Sequence, residues 1–253
     1  MAECNAVSTP MVTGCKLSKV DETPDADQTM YRSMIGSLLY LTSSRPDLMQ
    51  AICMVSRFQS APKQFHFTVI QRIFKYINGT LDFGLLYPRN DNFTLLAYTD
   101  ANWAGCVDDK KLTNGAAFFL GDSLVTWDNK KQDCTSLSTT KVEYVATTSC
   151  CTQLLWMAQT LLDMGIIVDK PLTIFCDNTS AISLSKNLVM HCRMKHIATR
   201  LLFLCEKILT NEVTLQYVPT QAQVADTFTK PLATDAFERL RLRLGVVSQS
   251  NLV

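Results

Sequence analysis

The sequence predicts an α/β fold: a mixed five-stranded sheet with helices on its faces, preceded by a mainly helical region. Three observations carry that prediction. The first third of the chain has apolar residues at helical spacing. A run of turn-forming residues, Pro88, Arg89, Asn90, Asp91 and Asn92, then interrupts the pattern. Beyond it, three strand-like segments follow one another and are succeeded by alternating helices and strands. That order gives a sheet with both antiparallel and parallel neighbours.

Residues 1–27 are polar and irregular, with prolines at 10 and 24. From Gln28 the pattern becomes helical: Leu48, Ile52, Val55 and Phe58 recur at helical spacing, as do Ile70, Ile73, Phe74 and Ile77. Pro46 and Pro62 mark expected helix starts, where a missing N–H costs nothing. Phe83–Tyr87 reads as a short strand. The turn residues at 88–92 suggest a boundary, dividing the chain into a helical region over 1–88, a second domain over 93–245 and a tail over 246–253. In the second domain Phe93–Asp100 is a strand ending in an acid. Ala116–Leu120 and Leu124–Asp128 are two more, joined by a Gly121–Asp122 turn. A long helix runs from about Ser138 to Met164, and Leu172–Asp177 is a strand that again ends in an acid. Helices follow near 179–186 and 195–210, then a strand at Val213–Val218. The last helical region begins near Gln223 and is broken by Pro231.

Composition narrows the function classes. A chain of 253 residues has room for one large or two modest domains. The formal net charge of +1 provides no global attraction for nucleic acid, so any such binding must come from local clusters. The 10 cysteines form no CxxC pair and no Cys/His zinc spacing, and read as small core residues. Scattered thiols, no secretory leader pattern and no apolar run of roughly 18 residues imply an intracellular, cytoplasmic protein without a membrane span. No nucleotide-binding glycine loop is present and no small-molecule cofactor is expected. No Ser or Cys is paired with a base at a recognisable motif.

Four acids stand where chemistry would be expected: Asp100, Glu143, Asp177 and Asp226. Asp100 and Asp177 lie at the carboxyl ends of two strands, where open α/β sheets bind ligands. Glu143 falls in the first turns of the long helix and Asp226 opens the last helical region. If the strands are parallel neighbours, the four carboxylates converge and repel one another unless a cation is present. Oxygen-rich sites suit Mg²⁺ or Mn²⁺, and two such ions about 3.5–4 Å apart support phosphodiester cleavage. Each acid also has a plainer reading. A strand-end Asp often forms a turn. Asp177 could cap a helix, and Glu143 and Asp226 could answer helix dipoles. From the residues alone both readings stand.

Several longer strings resemble a known family. YRSMIGSLLYLTSSRPDLMQA (31–51) and SRFQSAPKQFHFTVIQRIFKYINGTLDFGLLY (56–87) are similar to the segment that follows the reverse transcriptase palm in copia-type retrotransposon Pol polyproteins. YTDANWAG (98–105), VTWDNKKQ (125–132), LSTTKVEYVA (137–146), IFCDNTSAISLSKN (174–187), RMKHI (193–197), YVPTQAQVADTFTKPL (217–232) and RLRLG (241–245) resemble the motifs of that family's ribonuclease H, in order. The resemblance implies a ribonuclease H-like fold after a thumb- or connection-like helical region. It also implies two Mg²⁺ or Mn²⁺ ions, an RNA–DNA hybrid as substrate, and Asp100, Glu143, Asp177 and Asp226 as catalytic metal ligands. Other Pol fragments are candidate partners. The chain contains no Tyr-x-Asp-Asp polymerase motif and no integrase or protease motif.

Phosphate contacts would come from lysines and arginines. Lys130 and Lys131 rank first because they precede the helix carrying Glu143. Arg193 with Lys195, and Lys110 with Lys111, are further candidates, and His196 of RMKHI reads equally as a contact to substrate or as a packed histidine. The chain departs from the family at Lys141, where a Glu is usual, and at Asn102, where a second Asp is frequent. Such departures keep open an alternative: a catalytically silent Pol remnant that retains the fold and at most binds nucleic acid.

Overall fold

A computed structural model describes residues 5–89, 91–102, 108, 112–132, 139–186 and 198–252, with the backbone alone for 198–201 and 251–252. The helical region contains α1 (Gln28–Leu41), a 3₁₀ turn at Pro46–Leu48, α2 (Met49–Ser56) and α3 (Gln64–Asn78). Asp27 caps α1, its side chain accepting from the N–H groups of Thr29 and Met30. Pro46 opens the 3₁₀ turn as its missing N–H allows, whereas Pro62 lies two residues ahead of α3.

The second part begins with β2 (Leu95–Asn102), β3 (Thr113–Leu120) and β4 (Ser123–Lys131), after a short β1 (Phe83–Leu85). Gly121 takes a φ of +58° in the two-residue β3–β4 turn, a conformation side chains other than glycine rarely adopt. Next come α4 (Thr139–Asp163), β5 (Leu172–Cys176), α5 (Thr179–Ser185), α6 (Ala198–Leu209) and β6 (Val213–Tyr217). The chain then forms α7 (Asp226–Thr229), α8 (Thr234–Arg243) and β7 (Val246–Ser248). Pro231 separates α7 from α8, the break the sequence predicts.

The five-stranded sheet has the order β4-β3-β2-β5-β6. β2 pairs antiparallel with β3 and β3 with β4; β2 pairs parallel with β5 and β5 with β6. This is the mixed sheet expected. One face is covered by α4, α5 and α6, where Ala97, Phe118, Ile174 and Leu215 of the sheet meet Tyr144, Cys151, Leu154 and Leu204. The period-two burial of β5 matches a strand with one face in that core.

The other face of the sheet shares its apolar cover with the helical region. Ala117, Phe119 and Leu124 pack on Phe228, Leu240, Leu244 and Val246, and Met49, Phe83 and Leu85 from the helical region join the same cluster. Phe237 of α8 is buried in the core of the helical region itself. Residues 246–248, the start of the expected tail, form β7, which pairs antiparallel with β1 in the register Phe83↔Ser248 to Leu85↔Val246. A polar network ties the same elements together. The Arg45–Asp47 ion pair, at 2.8 Å, is buried; Tyr76 donates to Asp47 at 2.7 Å and Arg241 donates to Tyr76 at 3.4 Å. Trp127 of β4 donates to the Thr42 carbonyl at 3.1 Å. The turn chemistry at 88–92 marks a change of direction. It does not separate two cores, because the covering layer for the second sheet face comes from both ends of the chain.

A chain beginning at residue 93 therefore removes from Phe228, Leu240 and Val246 the part of their cover that Met49, Phe83 and Leu85 supply. It should be insoluble or lack a cooperative thermal transition by circular dichroism. In the full chain, Leu240→Ala should cost about 2–5 kcal/mol in denaturant unfolding, the usual range for a buried leucine.

Candidate active site

Asp100 sits near the end of β2 and is 3 % exposed. Asp177 follows the last residue of the parallel neighbour β5. The two strand ends thus lie side by side, as the sequence reading requires. Asp177 is not the cap of α5: Asn178 takes that role, accepting from the Ala181 N–H at 2.9 Å. This leaves Asp177 available, and its carboxylate accepts from the Thr220 hydroxyl at 3.0 Å. Glu143 reaches the same place from the second turn of α4. One of its oxygens accepts from the Ala101 N–H at 3.4 Å, and the other is buried without a hydrogen-bond partner.

Asp100, Glu143 and Asp177 each present a carboxylate oxygen, and these oxygens lie within 4.8 Å of one another. Asp226, the fourth expected acid, is buried at the start of α7 but lies outside this trio. Its carboxylate holds the Lys230 ammonium at 2.8 Å, one helical turn on. The Thr229 hydroxyl donates to Asp100. Lys230 and Thr229 were not among the residues singled out from sequence. Lys230 had a signal, the i,i+4 spacing from Asp226 that favours ion pairs; Thr229 had none.

The electrostatics follow from crowding. Burial, then the charges of Asp100 and Asp177, push the Glu143 carboxyl up to about 9. Burial, then Asp100, raise Asp226 to about 7, against the opposing pull of Lys230. Asp100 is raised chiefly by burial, with Lys230 and Thr229 acting the other way. Lys230 is held protonated by Asp100 and Asp226, although burial opposes it. A site of crowded oxygens, one of them orphaned, fits a hard divalent cation. Asp100, Glu143 and Asp177 could hold one, with Asp226 beside them.

Lys141 is half-buried two residues before Glu143, and the charges acting on Glu143 are those of Asp100, Asp177 and Lys230. The Lys130–Lys131 pair divides. Lys130 is opposite Asn114 and Lys131 opposite Thr113, and consecutive strand residues face opposite sides of the sheet. Lys130 is exposed on the α4 side, in a cleft of about 340 Å³ shared with Asp128, Ser149 and Gln153. Arg193, Lys195, His196, Lys110 and Lys111 lie outside the described residues. No helix among the described residues is long and apolar enough to cross a membrane.

No family model matches the chain. It is similar to the retrovirus-related Pol polyprotein from transposon RE2 of Arabidopsis thaliana, with 37 % identity over 98 % of this chain and 17 % of that polyprotein. It is also similar to the retrovirus-related Pol polyprotein from transposon TNT 1-94 of Nicotiana tabacum, with 33 % identity over 98 % of this chain and 19 % of the relative. Among solved structures, the N-terminal RNase H domain of a Mycobacterium tuberculosis protein, fused to maltose-binding protein, covers 58 % of this chain. That likeness spans 96 % of the solved chain, at 10 % identity and a TM-score of 0.38.

The raised carboxyls fix the sign of a pH effect. Glu143 and Asp226 bind protons more tightly folded than unfolded, so their neutral forms stabilise the fold at low pH. That contribution falls as pH rises from the ordinary carboxyl values, 4.5 and 3.8, through about 9 and about 7. The melting temperature of the metal-free chain should fall between about pH 5 and 9. Glu143→Gln should flatten the fall. A profile that rises over this window in the wild type would contradict the crowded site.

Proposed function

We propose that this chain, similar over 98 % of its length to 17–19 % of retrovirus-related Pol polyproteins from transposons, is a segment of a copia-type Pol polyprotein and acts as a metal-dependent ribonuclease H on RNA–DNA hybrids. The observation that carries this reading is the meeting of Asp100, Glu143 and Asp177. They come from two parallel strand ends and a helix, with their oxygens within 4.8 Å. Two buried acids and a half-buried third gain nothing structurally from such an approach, since each raises the cost of ionising the next.

Bound divalent cations would supply the positive charge and Lewis acidity that phosphodiester hydrolysis needs. The chain's own groups orient the acids. The Ala101 N–H faces Glu143, the Thr229 hydroxyl Asp100 and the Thr220 hydroxyl Asp177. Lys230 offsets part of the negative charge and keeps Asp226 close. Lys130, exposed on the α4 side, is suited to a backbone phosphate. Lys131, on the opposite side, is not expected to share that contact. Selection of the RNA strand would rest on its 2′-hydroxyls and the groove shape of the hybrid. Other segments of Pol are the candidate protein partners.

The test is cleavage of a labelled hybrid with Mg²⁺ or Mn²⁺. The RNA strand should be cut, duplex DNA left intact and EDTA should stop the reaction. Asp100→Asn should lower kcat by at least about 10³-fold while hybrid binding persists, since binding rests mainly on phosphate contacts. Lys130→Ala should weaken binding and reduce its salt slope by about one unit, and Lys131→Ala should do neither. Lys141→Glu should change little. A folded wild type that binds hybrid but never cuts it, with either ion, would instead identify a silent remnant.

A further inference from the structure

α7, which carries Asp226 and ends at Thr229, is only four residues long, and a helix of one turn does not hold its own position in water. Its placement must come from tertiary contacts: α2 and the 3₁₀ turn at Pro46–Leu48 pack on it from the helical region, and its contacts with the sheet include one line across three strands. Asp100 is in register with Gly115 of β3, and Gly115 with Asn129 of β4. Residues directly opposite share a face, so Asp100, Gly115 and Asn129 form a row across three strands. α7 lies on that row. The Thr229 hydroxyl donates to Asp100 at one end, and the Asn129 amide donates to the Phe228 carbonyl at the other. In the middle there is no room for a side chain. A Cβ on Gly115 would stand 2.7 Å from the Thr229 methyl, 2.8 Å from the Ala225 carbonyl and 2.9 Å from the Phe228 Cβ.

A second amide acts from the end of β2. Asn102 donates to the Thr229 carbonyl at 3.1 Å. Phe228 and Thr229 provide two of the carbonyls that a helix leaves without internal partners at its C-terminus. Both are thus answered by side-chain amides from strands whose register with Asp100 is set by the sheet. An Asp at 102 would be isosteric when ionised but would have no N–H to give.

We propose that Asn102 and Asn129 are positioning residues, which hold the α7 segment in register with Asp100 and so set where Asp226 and Lys230 stand relative to the acidic trio. A general capping role would need donors at these carbonyls, but not one, Asn129, in the strand row that contains Asp100 and another, Asn102, two residues along Asp100's own strand. The proposal rests on the metal-site reading above and extends it to two residues outside the acidic trio.

The experiment uses the full chain as wild type, Asn102→Ala, Asn129→Ala, the double variant, and Asn129→Gln, which keeps an amide on a longer arm. Three quantities are measured: Mn²⁺ affinity by electron paramagnetic resonance, kcat and KM on hybrid, and hydrogen exchange of the 226–230 amides without metal. Loss of a supporting hydrogen bond around a metal site typically costs about 10–100-fold in affinity or activity. The double variant should lose Mn²⁺ affinity and kcat on that scale, with KM unchanged and a melting temperature close to wild type. Exchange at 226–230 should quicken while the sheet amides stay protected, and Asn129→Gln should recover part of the loss. Unchanged exchange at 226–230 in the double variant overturns the proposal, as does faster exchange with wild-type Mn²⁺ affinity and kcat. A wild type that binds no Mn²⁺ overturns the metal-site reading instead, and the exchange comparison still decides whether the two amides hold the segment.

Discussion

Three carboxylates, two of them buried, brought within 4.8 Å of one another cannot all ionise without a compensating charge. The groups around these acids answer that constraint. The chain places hydroxyl donors on Asp100 and Asp177, a backbone N–H on Glu143 and an ammonium on Asp226. These are partial remedies. Glu143 still retains a buried oxygen with no partner, and its carboxyl is pushed far above its ordinary range. Such a costly arrangement is compatible with a divalent cation held among the acids.

Holding it requires rigid supports. Asp100 and Asp177 ride on adjacent parallel strands in the middle of the sheet, and Glu143 on a helix 25 residues long whose buried face covers that sheet. Asp226 has the least secondary structure beneath it, and there tertiary contacts take over. The sheet side is pressed close at Gly115, and α2 and the 3₁₀ turn at Pro46–Leu48 pack against α7 from the helical region. The helical region is therefore more than an appendage. Through Met49, Phe83 and the Arg45–Asp47–Tyr76–Arg241 network it forms part of the layer behind the acidic site.

Lys130 and Lys131 illustrate why adjacent charges in a sequence need not form one patch. A strand reverses its side chains at every residue, so the pair is split between a face covered by α4 and a face covered by α7 and the helical region. A phosphate backbone tracking one side of the sheet meets only one of them. The same geometric reasoning applies in a helix to Lys141 and Glu143, which are too close in sequence to share a face.

The sequence by itself determined the element order, the mixed sheet and the acids at the strand ends, because these depend on local periodicity and on turn chemistry. Hydrophobic spacing revealed α2, α3 and β5, and Pro231 revealed the break between α7 and α8. Only the tertiary structure decided which acids meet. Asp100, Glu143 and Asp177 form the trio while Asp226 turns to Lys230, and that division depends on a helix too short to be placed by its own pattern. The role of Asn129 was equally hidden, since nothing local distinguishes a strand asparagine that faces solvent from one that meets a carbonyl 99 residues away. The shared core was hidden for the same reason. Turn residues report where the chain changes direction, whereas β7 returning to β1 is a long-range pairing written in only three residues on each side.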